Sequence, residues 1–459
     1  MTTSAIVLAA GKGTRMNSDL AKVLHTVAGR SLLGWVLAAV EPIGFDAVVA
    51  VIGHQQEAVA ATLPEGITAA VQEPQNGTGD AARVGLDALA DTGRTVVVLP
   101  GDMPLLTADT VRALLTHHTA ADADATVLTV EMDDPHGYGR VVRSASGVTA
   151  IVEERDADAT QRAIREVNTS VYCFSADSLT TALQRLGTDN SQGEYYLTDA
   201  IAIIAGSGGR VAAVSAPAIE GTGVNSHAQL AAAGAVLRSR INDDLMHAGV
   251  AMVDPARVYV DAGAQVAAGA VLLPDTFLDG RCSVGSGAVV GPAVQAANTS
   301  IGEGAAVRYS VLDGAIVGPG ANVGPFTYLR PGAALADSTK AGAFVEIKNS
   351  TVGPRSKVPH LSYIGDASIG EDTNIGAATV TVNYDGFEKH RTVIGDRVRI
   401  GSDTMLVAPV SVGDDAYTGA GSVITHDVAP GALGIERSPQ KEVPGYAARR
   451  RRRAEADER

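Results

Sequence analysis

The chain has 459 residues, 46% of them hydrophobic and 4% aromatic, and its formal net charge is −15. This length exceeds what one core usually holds, so we expect two domains. The acidic charge argues against general nucleic-acid binding, and a content of two cysteines, Cys173 and Cys282, argues against a disulfide framework or a cysteine-ligated zinc site. We find no secretory signal and no apolar run of about eighteen residues that could span a bilayer, so we expect a cytoplasmic protein without membrane insertion.

The N-terminal third alternates predicted strands with predicted helices. Apolar segments at 4–10, 47–52 and 95–99 predict strands, and residues 23–40 have helical spacing. This alternation predicts a Rossmann-like α/β domain with a mainly parallel sheet. Because ligands bind beyond the carboxyl ends of parallel strands, the residues that follow each strand are the candidates for a site.

A glycine-rich loop, LAAGKGTRM at residues 8–16, overlaps the end of the first predicted strand. Gly11 and Gly13 let backbone amides approach an anion, which Lys12 and Arg15 can neutralise. The loop is neither a Walker loop nor the dinucleotide fingerprint, since the required GK[ST] and the third glycine are both missing. It predicts a site for phosphate groups, and a triphosphate would fit.

Two further polar segments follow predicted strands. Asp102, in the sequence PGDMP, could hold magnesium against phosphate oxygens, although an aspartate beside glycine and proline is also common in turns and helix caps. Residues 72–80, QEPQNGTGD, carry amide and hydroxyl groups that could read the edge of a base. By itself this second segment is equally typical of an ordinary loop.

The second half of the chain has a different pattern. Residues 226–249 carry apolar side chains at helical spacing and predict a connecting helix. Beyond residue 250, aliphatic residues recur at six-residue intervals, most regularly at Val317, Val323, Leu329, Leu335, Ile394, Ile400, Leu406 and Val412. This hexapeptide repeat predicts a solenoid of short strands with the aliphatic side chains inside. Such a solenoid could be a scaffold without chemistry.

The repeat is interrupted after Ile375, and residues 377–393 are too long for a corner turn, so we expect a protruding loop. Polar side chains cluster just before and within this segment, at Glu346, Lys348, His360, Tyr363, Asn383 and Tyr384. A lone histidine is more often structural than catalytic, but His360 lies close in sequence to a carboxylate and to the loop.

Together these motifs resemble the sugar nucleotidyltransferase family, whose loop LxxGxGTRM is followed by a lysine, here Lys22. Within that family the chain is similar to the bacterial bifunctional enzymes that make UDP-N-acetylglucosamine. That closer resemblance rests on GYGR at 137–140, IVE at 151–153, VNT at 167–169, GEYYLTDA at 193–200 and GVN at 223–225. It continues through the solenoid to about residue 440.

For residues 1–226 the resemblance implies a uridylyltransferase that uses UTP and Mg²⁺ and acts on N-acetylglucosamine 1-phosphate. Arg15 and Lys22 are expected to bind the phosphates and serve in catalysis, in a loop that also includes Leu8, Gly11 and Gly13. The resemblance assigns the uracil to Gln72, Gly77 and Thr78. It assigns the magnesium to Asp102 and Asn225, and the sugar to Gly139, Glu153 and Asn168.

For residues 250–440 the resemblance implies a left-handed parallel β-helix that acetylates glucosamine 1-phosphate with acetyl-CoA. His360 is expected to be the general base, with Glu346 to orient it. The amino sugar phosphate is assigned to Arg330, Lys348, Tyr363, Asn374, Asn383 and Tyr384. Acetyl-CoA is assigned to Ala377, Ser402, Ala420 and Arg437. A solenoid face is flat, so a deep pocket needs a second surface. The resemblance implies that three solenoids pack side by side to provide it, and we therefore expect a homotrimer with acetyltransferase sites between subunits.

The remaining segments are a linker helix at 227–249 and a flexible basic tail at 441–459, with five arginines at 449–453. One alternative stays open, in which the chain is a sugar-1-phosphate nucleotidyltransferase of one activity and its solenoid serves oligomerisation or effector binding. Another is a purely structural solenoid protein with a decayed N-terminal domain. The long loop and His360 favour the bifunctional interpretation, since a scaffold needs neither.

Overall fold

The computed structural model of the chain describes residues 2–90, 93–145 and 147–457. It divides into two compact units, one of residues up to Ile241 and one from Asn242 onward. The boundary falls within a helix at His227–His247, in the segment expected to connect the domains. Every helix in the described residues is too short or too polar to cross a membrane.

The N-terminal unit is built on a mixed sheet. Its strands, with a separate small hairpin at β2 and β3, are β1 Thr3–Ala9, β2 Thr26–Val27, β3 Arg30–Ser31, β4 Ala47–Ile52, β5 Ile67–Val71, β6 Thr95–Pro100, β7 Ala125–Glu131, β8 Arg140–Ser144, β9 Gly147–Val152, β10 Glu166–Ser175 and β11 Val211–Ser215. The order across the main sheet is β11-β7-β10-β6-β1-β4-β5, with the β8–β9 hairpin attached to β10. Strand β1 runs parallel to β4 and β6, whereas β10 is antiparallel to β6 and β7.

Helices cover both faces of this sheet. They are α1 Leu32–Val40, α2 Gln56–Ala60, α3 Thr78–Asp87, α4 Ala108–Ala120, α5 Ala159–Arg162, α6 Ala176–Leu183, α7 Thr198–Gly206 and α8 His227–His247. Helices α1 and α4 pack on one face, and α3, α6 and α7 pack on the other. Apolar side chains of the strands are buried on both sides, as in other α/β sheets. The carboxyl ends of β1 and β6 therefore remain open for a ligand.

The prediction of one helix over residues 23–40 is wrong in its first half. The chain there forms a short 3₁₀ turn at Lys22–Leu24 and then the β2–β3 hairpin. Ala28 and Gly29, with φ of 47° and 80°, supply the left-handed turn that a two-residue hairpin loop requires. Helix α1 begins only at Leu32, where Ser31 caps it by accepting a hydrogen bond from the amide of Gly34.

The C-terminal unit is a parallel β-helix. In its described residues the short strands form three parallel sheets, one strand of each per coil. The first contains Ala251–Met252, Val271–Leu272, Val289–Val290, Ala306–Val307, Asn322–Val323, Lys340–Ala343, Lys357–His360, Asn374–Ile375, Arg399–Ile400, Tyr417–Thr418 and Leu433–Gly434. The second contains Val258–Val260, Thr276–Asp279, Val294–Ala297, Val311–Asp313, Tyr328–Leu329, Glu346–Lys348, Tyr363–Gly365, Val380–Val382, Met405–Val407 and Val423–Ile424. The third contains Gln265–Val266, Ser283–Val284, Ser300–Ile301, Ile316–Val317, Ala334–Leu335, Thr351–Val352, Ala367–Ile369, Thr392–Ile394 and Val410–Val412.

The aliphatic residues of the hexapeptide repeat form the interior of this β-helix. Leu329 and Leu406 are fully buried, and Val317, Val323, Leu335, Ile394, Ile400 and Val412 are at most 3% exposed. The prediction of inward-facing aliphatic residues is confirmed. Each coil stacks its aliphatic residues on those of the next, so the core is continuous along the solenoid.

The interruption of the repeat is shorter than expected. A strand at Val380–Val382 continues the second sheet, and Thr381 takes the inward position as a fully buried residue. Its hydroxyl donates to the carbonyl of Gly365 at 3.0 Å and accepts from the Gly365 amide at 2.7 Å. A threonine therefore replaces the expected aliphatic residue, and the protruding loop is confined to residues 383–391.

The sequence predicts a flexible basic tail at residues 441–459. The structure has a helix there, α9 Tyr446–Asp457, and its side chains are exposed throughout. Residues 458–459, the end of the predicted tail, lie outside the described residues.

Candidate active sites

A cavity of about 750 Å³ opens at the carboxyl ends of β1 and β6. Leu8 in β1 lies opposite Pro100 in β6, and the Gly101 amide donates to the Leu8 carbonyl at 2.8 Å, so the ends of the two strands are held together. The cavity is lined by most of the predicted N-terminal site residues, namely Leu8, Gly11, Arg15, Lys22, Gln72, Gly77, Thr78, Asp102, Glu153, Asn168 and Asn225. Two of the predicted residues, Gly13 and Gly139, do not line it.

Gly13 lies in the phosphate loop and packs against the side chain of Lys22. Its φ is +66°, and a Cβ at this position would lie 2.5 Å from Cβ of Lys22. A side chain there would therefore displace Lys22 from the cavity wall. Gly139 lies beside Glu153, where a Cβ would be at ordinary contact distance, 3.5 Å, from both carboxylate oxygens and 3.0 Å from Cγ2 of Ile151.

Four polar side chains converge at one end of the cavity. Nζ of Lys22 donates to Oδ2 of Asp102 in an ion pair, and to Oδ1 of Asn225 at 3.0 Å. Nη2 of Arg15 donates to the same Asn225 oxygen at 2.9 Å. The side chains of Lys22 and Asp102 are only 15% and 17% exposed, which strengthens their attraction relative to a pair in bulk water.

The oxygens of Asp102 and Asn225 suit a hard cation. Both accept a hydrogen bond from the same ammonium nitrogen, so they are directed at a common point. Carboxylate and amide oxygens are the ligands that Mg²⁺ prefers. Within the described residues there is no cluster of three or more His, Cys, Asp or Glu side chains that could hold a metal ion. A metal bound here would therefore take few of its ligands from the protein.

The segment expected to bind a base forms a rigid turn. Nε2 of Gln72 donates to the carbonyl of Gly77 at 3.0 Å and to Oδ2 of Asp80 at 2.9 Å. Both partners are acceptors, so they fix the orientation of the amide and leave Oε1 of Gln72 as its acceptor atom. Gly77 has a φ of +110° and lies against the Tyr195 carbonyl, where a Cβ would be 2.6 Å away. Oγ1 of Thr78 accepts a hydrogen bond from the amide of Leu197 at 3.1 Å.

Glu153 and Asn168 also line the cavity. Burial raises the pKa of the Glu153 carboxyl, although a hydrogen bond from Thr198 at 3.3 Å opposes the shift. A bulge in β10 between Asn168 and Tyr172 turns Asn168 toward the cavity, with Ser170 at a φ of 63°. Nδ2 of Asn168 donates to the hydroxyl of Tyr172 at 2.7 Å, and burial raises the pKa of that hydroxyl.

Several residues of this cavity were not singled out from the sequence. They are Tyr138, Tyr172, Thr198 and Gln229, which line it beside the predicted residues. Tyr138 and Thr198 lie inside motifs that carried the family resemblance, and that was the available signal. Gln229 is in α8, and its Oε1 accepts a hydrogen bond from the amide of Asn225 at 2.8 Å. No sequence pattern indicated that Gln229 belongs to the cavity.

In the β-helix, the residues expected to bind acetyl-CoA lie in one column with His360. Lys357, Asn374, Arg399 and Tyr417 are paired on successive coils, and three residues beyond them stand His360, Ala377, Ser402 and Ala420. The column is joined by hydrogen bonds, with Ala377 O accepting from Asp403 N at 2.7 Å and Ser402 O from Gly421 N at 2.9 Å. Arg437 donates from Nη1 to the carbonyl of Ala420 at 2.9 Å. With strands about 4.8 Å apart, the column from His360 to Ala420 extends about 14 Å.

Lys348 and Tyr363, two of the residues expected to bind the amino sugar phosphate, lie on the adjacent sheet together with Glu346. Glu346 and Tyr363 are neighbours on successive coils, and Lys348 lies opposite Gly365. Nη1 of Arg330 donates to Oε1 of Glu346 at 2.8 Å. In the described residues the Glu346 carboxylate bonds to Arg330 and no hydrogen bond joins it to His360, so its role in orienting that histidine stays a prediction. Asn374 is placed on the His360 sheet by its pairing with Lys357 and Arg399.

The loop at 383–391 adds further polar side chains. Nδ2 of Asn383 donates to Oδ2 of Asp366, a buried carboxylate that also accepts from Asn349 at 2.6 Å. Burial alone would raise the pKa of Asp366, but these hydrogen bonds and the charge of Lys348 lower it. Tyr384 donates its hydroxyl to the carbonyl of Gly386 at 2.7 Å and remains exposed.

Lys389 was missed by the sequence analysis. Its ammonium group lies near that of Lys348, and this proximity lowers the pKa of Lys389. Two like charges at this distance repel unless an anion lies between them. A basic residue in a loop that also holds Asn383 and Tyr384 was the available signal.

Comparison with known proteins agrees with this architecture. The MobA-like NTP transferase domain model matches residues 5–191, and the bacterial transferase hexapeptide model, of six repeats, matches residues 391–426. The chain is 51% identical to the bifunctional protein GlmU of Streptomyces coelicolor, over 98% of this chain and 94% of that protein. It is 50% identical to the protein of that name from Mycolicibacterium gilvum (98% and 92%) and 48% identical to that of Corynebacterium efficiens (98% and 94%).

Proposed function

The chain belongs to the family of bifunctional GlmU proteins, and we propose from this premise a role for each residue of its two candidate sites. It is a two-reaction enzyme. Its C-terminal β-helix, left-handed as in hexapeptide transferases, transfers acetyl from acetyl-CoA to glucosamine 1-phosphate. Its N-terminal domain transfers uridylyl from UTP to N-acetylglucosamine 1-phosphate and releases pyrophosphate.

In uridylyl transfer, we assign the neutralisation of phosphate charge to Lys22 and Arg15. An oxygen of the sugar phosphate attacks the α-phosphorus of UTP, and the bond to the β-phosphate breaks. Positioning and charge stabilisation supply most of the rate of such a step. The convergence of Lys22, Arg15, Asp102 and Asn225 at one end of the cavity supports this assignment.

We assign Mg²⁺ to Asp102 and Asn225, whose oxygens converge there. A bound magnesium ion would neutralise phosphate oxygens and leave most of its coordination positions to phosphate and water. Lys22 and Arg15 would then exchange their hydrogen bonds with these residues for contacts to phosphate. The acceptor Oε1 of Gln72 is suited to the N3–H of uracil, with Gly77 and Thr78 shaping the rest of the base site. Glu153 and Asn168 are suited to hydroxyl and amide groups of the sugar, and Gly139 leaves room behind them.

In acetyl transfer, we assign the general base to His360. The amine nitrogen of glucosamine 1-phosphate attacks the thioester carbonyl, its proton passes to the imidazole, and coenzyme A leaves as the thiol. The column of Ala377, Ser402 and Ala420 in line with His360 supports an extended path for acetyl-CoA, with Arg437 near its phosphates. Arg330, Lys348 and the added Lys389 would hold the sugar phosphate, and Glu346 would fix Arg330. Tyr363, Asn374, Asn383 and Tyr384 would line the same site.

We propose that the β-helix assembles as a homotrimer, with acetyltransferase sites completed by neighbouring subunits. A column of apolar side chains runs along one of its corners, with Tyr309, Phe326, Phe344 and Leu361 exposed by 46%, 58%, 60% and 60%. The rings of Phe326 and Phe344 stack at 5.2 Å, so the column is continuous. Exposed apolar patches of this kind mark subunit contacts. Both co-substrates are cytoplasmic metabolites, and we place the enzyme in the cytoplasm.

The observation that carries the whole assignment is the separation of the two sets of residues, since no residue of the cavity belongs to the His360 column. The test is an incubation with glucosamine 1-phosphate, acetyl-CoA, UTP and magnesium, in which free thiol and pyrophosphate are measured separately. We expect thiol release without UTP, and pyrophosphate release that needs acetyl-CoA or added N-acetylglucosamine 1-phosphate.

Two substitutions separate the sites. His360→Ala is expected to lower acetyl transfer by roughly 100-fold or more, the usual contribution of a general base, and to leave uridylyl transfer unchanged. Asp102→Ala is expected to do the reverse, by a similar factor. Loss of both activities in either folded variant would contradict the two-site assignment. Pyrophosphate without any thiol release would favour a β-helix that serves only assembly.

A further inference from the structure

The loop at residues 383–391 is organised around one carboxylate, that of Asp385. Its Oδ1 accepts hydrogen bonds from the amides of Phe387 at 2.8 Å and Glu388 at 2.7 Å. Its Oδ2 pairs with Nε2 of His390 at 2.7 Å. These three contacts use both carboxylate oxygens, and their hydrogen bonds lower the pKa of Asp385. The loop is therefore held in one shape by contacts within itself.

The contact between Asp385 and His390 joins the two sides of the loop. The amide of His390 donates to the carbonyl of Asn383 at 2.8 Å, and Tyr384 and Lys389 form an isolated antiparallel bridge. Asp385 directly follows Tyr384, and His390 directly follows Lys389. The contact between the side chains of Asp385 and His390 thus fixes the positions of Tyr384 and Lys389, which lie at the candidate acetyltransferase site.

The contact between Asp385 and His390 opposes the electrostatic repulsion between Lys389 and Lys348. Lys389 is held beside Lys348 although the two ammonium groups repel each other. Asn383, two residues before Asp385, is fixed by its hydrogen bond to Asp366. Without a restraint, an exposed loop would relieve the repulsion by moving Lys389 away. A loop already held in place would instead present Lys389 to an anion without an ordering cost on binding.

We propose that Asp385 and His390 form a positioning pair that sets Lys389 and Tyr384 for the phosphate-bearing amino sugar in acetyl transfer. The proposal rests on the acetyltransferase assignment of the β-helix. Neither residue touches the reacting atoms in this proposal; both act through Lys389 and Tyr384. The pair belongs to the acceptor side of the site, so its effect should be separable from acetyl-CoA binding.

The test compares His390→Ala, His390→Gln and Glu388→Ala in the full-length enzyme. His390→Ala is expected to raise the KM for glucosamine 1-phosphate roughly tenfold, the usual effect of losing a charge-assisted hydrogen bond, with kcat changed by less than about twofold. The KM for acetyl-CoA and the rate of uridylyl transfer should stay unchanged. His390→Gln should restore most of the affinity, because its Nε2 can donate to Asp385. Glu388→Ala is the control, since this exposed side chain lies in the same loop and only its backbone contacts Asp385.

Other results would overturn the proposal. An unchanged KM in His390→Ala, or an equal rise in Glu388→Ala, would show that the pair does not position the acceptor site. A fall in kcat with KM unchanged would also contradict it, because that pattern indicates a role in the transition state only. Asp385→Asn provides a second route to the same answer and should raise the same KM. Failure of the acetyltransferase assignment itself is distinguishable, since the unmodified enzyme would then release no thiol.

Discussion

Nζ of Lys22 donates a hydrogen bond to Oδ1 of Asn225 at 3.0 Å, joining residues that are 203 positions apart in the chain. Lys22 follows the phosphate loop, and Asn225 lies two residues before the start of helix α8. The same lysine pairs with Asp102 at the end of β6. Three distant segments thus meet where the predicted metal ligands and phosphate-binding residues were expected to meet.

Asn225→Ala should increase the magnesium concentration needed for half-maximal uridylyl transfer by roughly tenfold or more, because one of two protein oxygens is lost. Acetyl transfer should be unaffected. Titration of Mg²⁺ in pyrophosphate release measures the shift, and removal of Mg²⁺ by a chelator should abolish uridylyl transfer alone. Asn322→Ala, an exposed asparagine in the β-helix, serves as the control. An unchanged magnesium requirement in Asn225→Ala would remove this residue from the metal site.

As the pH falls, the affinity of the uridylyltransferase site for its sugar should begin to weaken at a higher pH than it would if Glu153 had the usual pKa of a glutamate. Burial raises the pKa of Glu153 above its usual 4.5, so the carboxylate proposed to accept a hydrogen bond from the sugar protonates at a higher pH. The KM for N-acetylglucosamine 1-phosphate should therefore begin to rise above pH 4.5 as the solution is acidified.

Thr198 provides the matched test of this assignment. Its hydroxyl stabilises the charged form of Glu153, so Thr198→Ala should move the rise in KM to higher pH. Glu153→Gln should raise KM but abolish the pH dependence. A pH profile that is the same in all three proteins would mean that another group titrates.

Most of the predicted N-terminal residues come together at one cavity because they follow strands and lie in turns. The strand at Ala47–Ile52 was predicted to the residue, and the motif residues at Gln72, Gly77 and Thr78 line one cavity. The hairpin before α1 was not predicted, since the apolar spacing of residues 23–40 also fits a helix. The left-handed turn at Ala28 and Gly29 overrides that spacing, and only Gly29 gave a signal.

In the β-helix the periodic pattern was informative until a polar residue took an inward position. Thr381 is fully buried and satisfies its hydroxyl on the backbone of Gly365, so the coil is intact although the aliphatic residue is missing. Lys389 was not predicted because a lysine in a loop has no periodic signal. Its place beside Lys348 depends on the loop shape, which depends in turn on side-chain contacts of Asp385.

Lys389 should give acetyl transfer an alkaline limit. The nearby Lys348 lowers the pKa of Lys389 below the usual 10.5, so its ammonium loses its proton at lower pH than an isolated lysine. Binding of the sugar phosphate needs the charged form, and the KM for glucosamine 1-phosphate should rise as pH increases through that lowered pKa. Lys389→Met should raise KM roughly tenfold at neutral pH, as expected for loss of a charge-assisted contact, and should remove this limit. Lys441→Met, in the tail, is the control, and a limit that survives in Lys389→Met would assign it to another group.

Phe326→Glu should dissociate the proposed trimer. The glutamate would place a charge in the middle of the apolar column, between Tyr309 and Phe344, where a subunit contact would bury it without a partner. Molar mass measured by light scattering after size exclusion should fall from about three chains to one. Acetyl transfer should be lost with the trimer, because the proposed sites include a neighbouring subunit, while uridylyl transfer should persist.

Phe387→Glu is the matched control for this prediction. Phe387 is 93% exposed at the tip of the loop and lies outside the apolar column, so the same substitution should leave the molar mass unchanged. A chain that is already monomeric before substitution would contradict the trimer. A Phe326→Glu variant that becomes monomeric yet retains full acetyl transfer would instead show that each β-helix holds a complete site, because loss of the neighbouring subunit then removes nothing that the reaction needs.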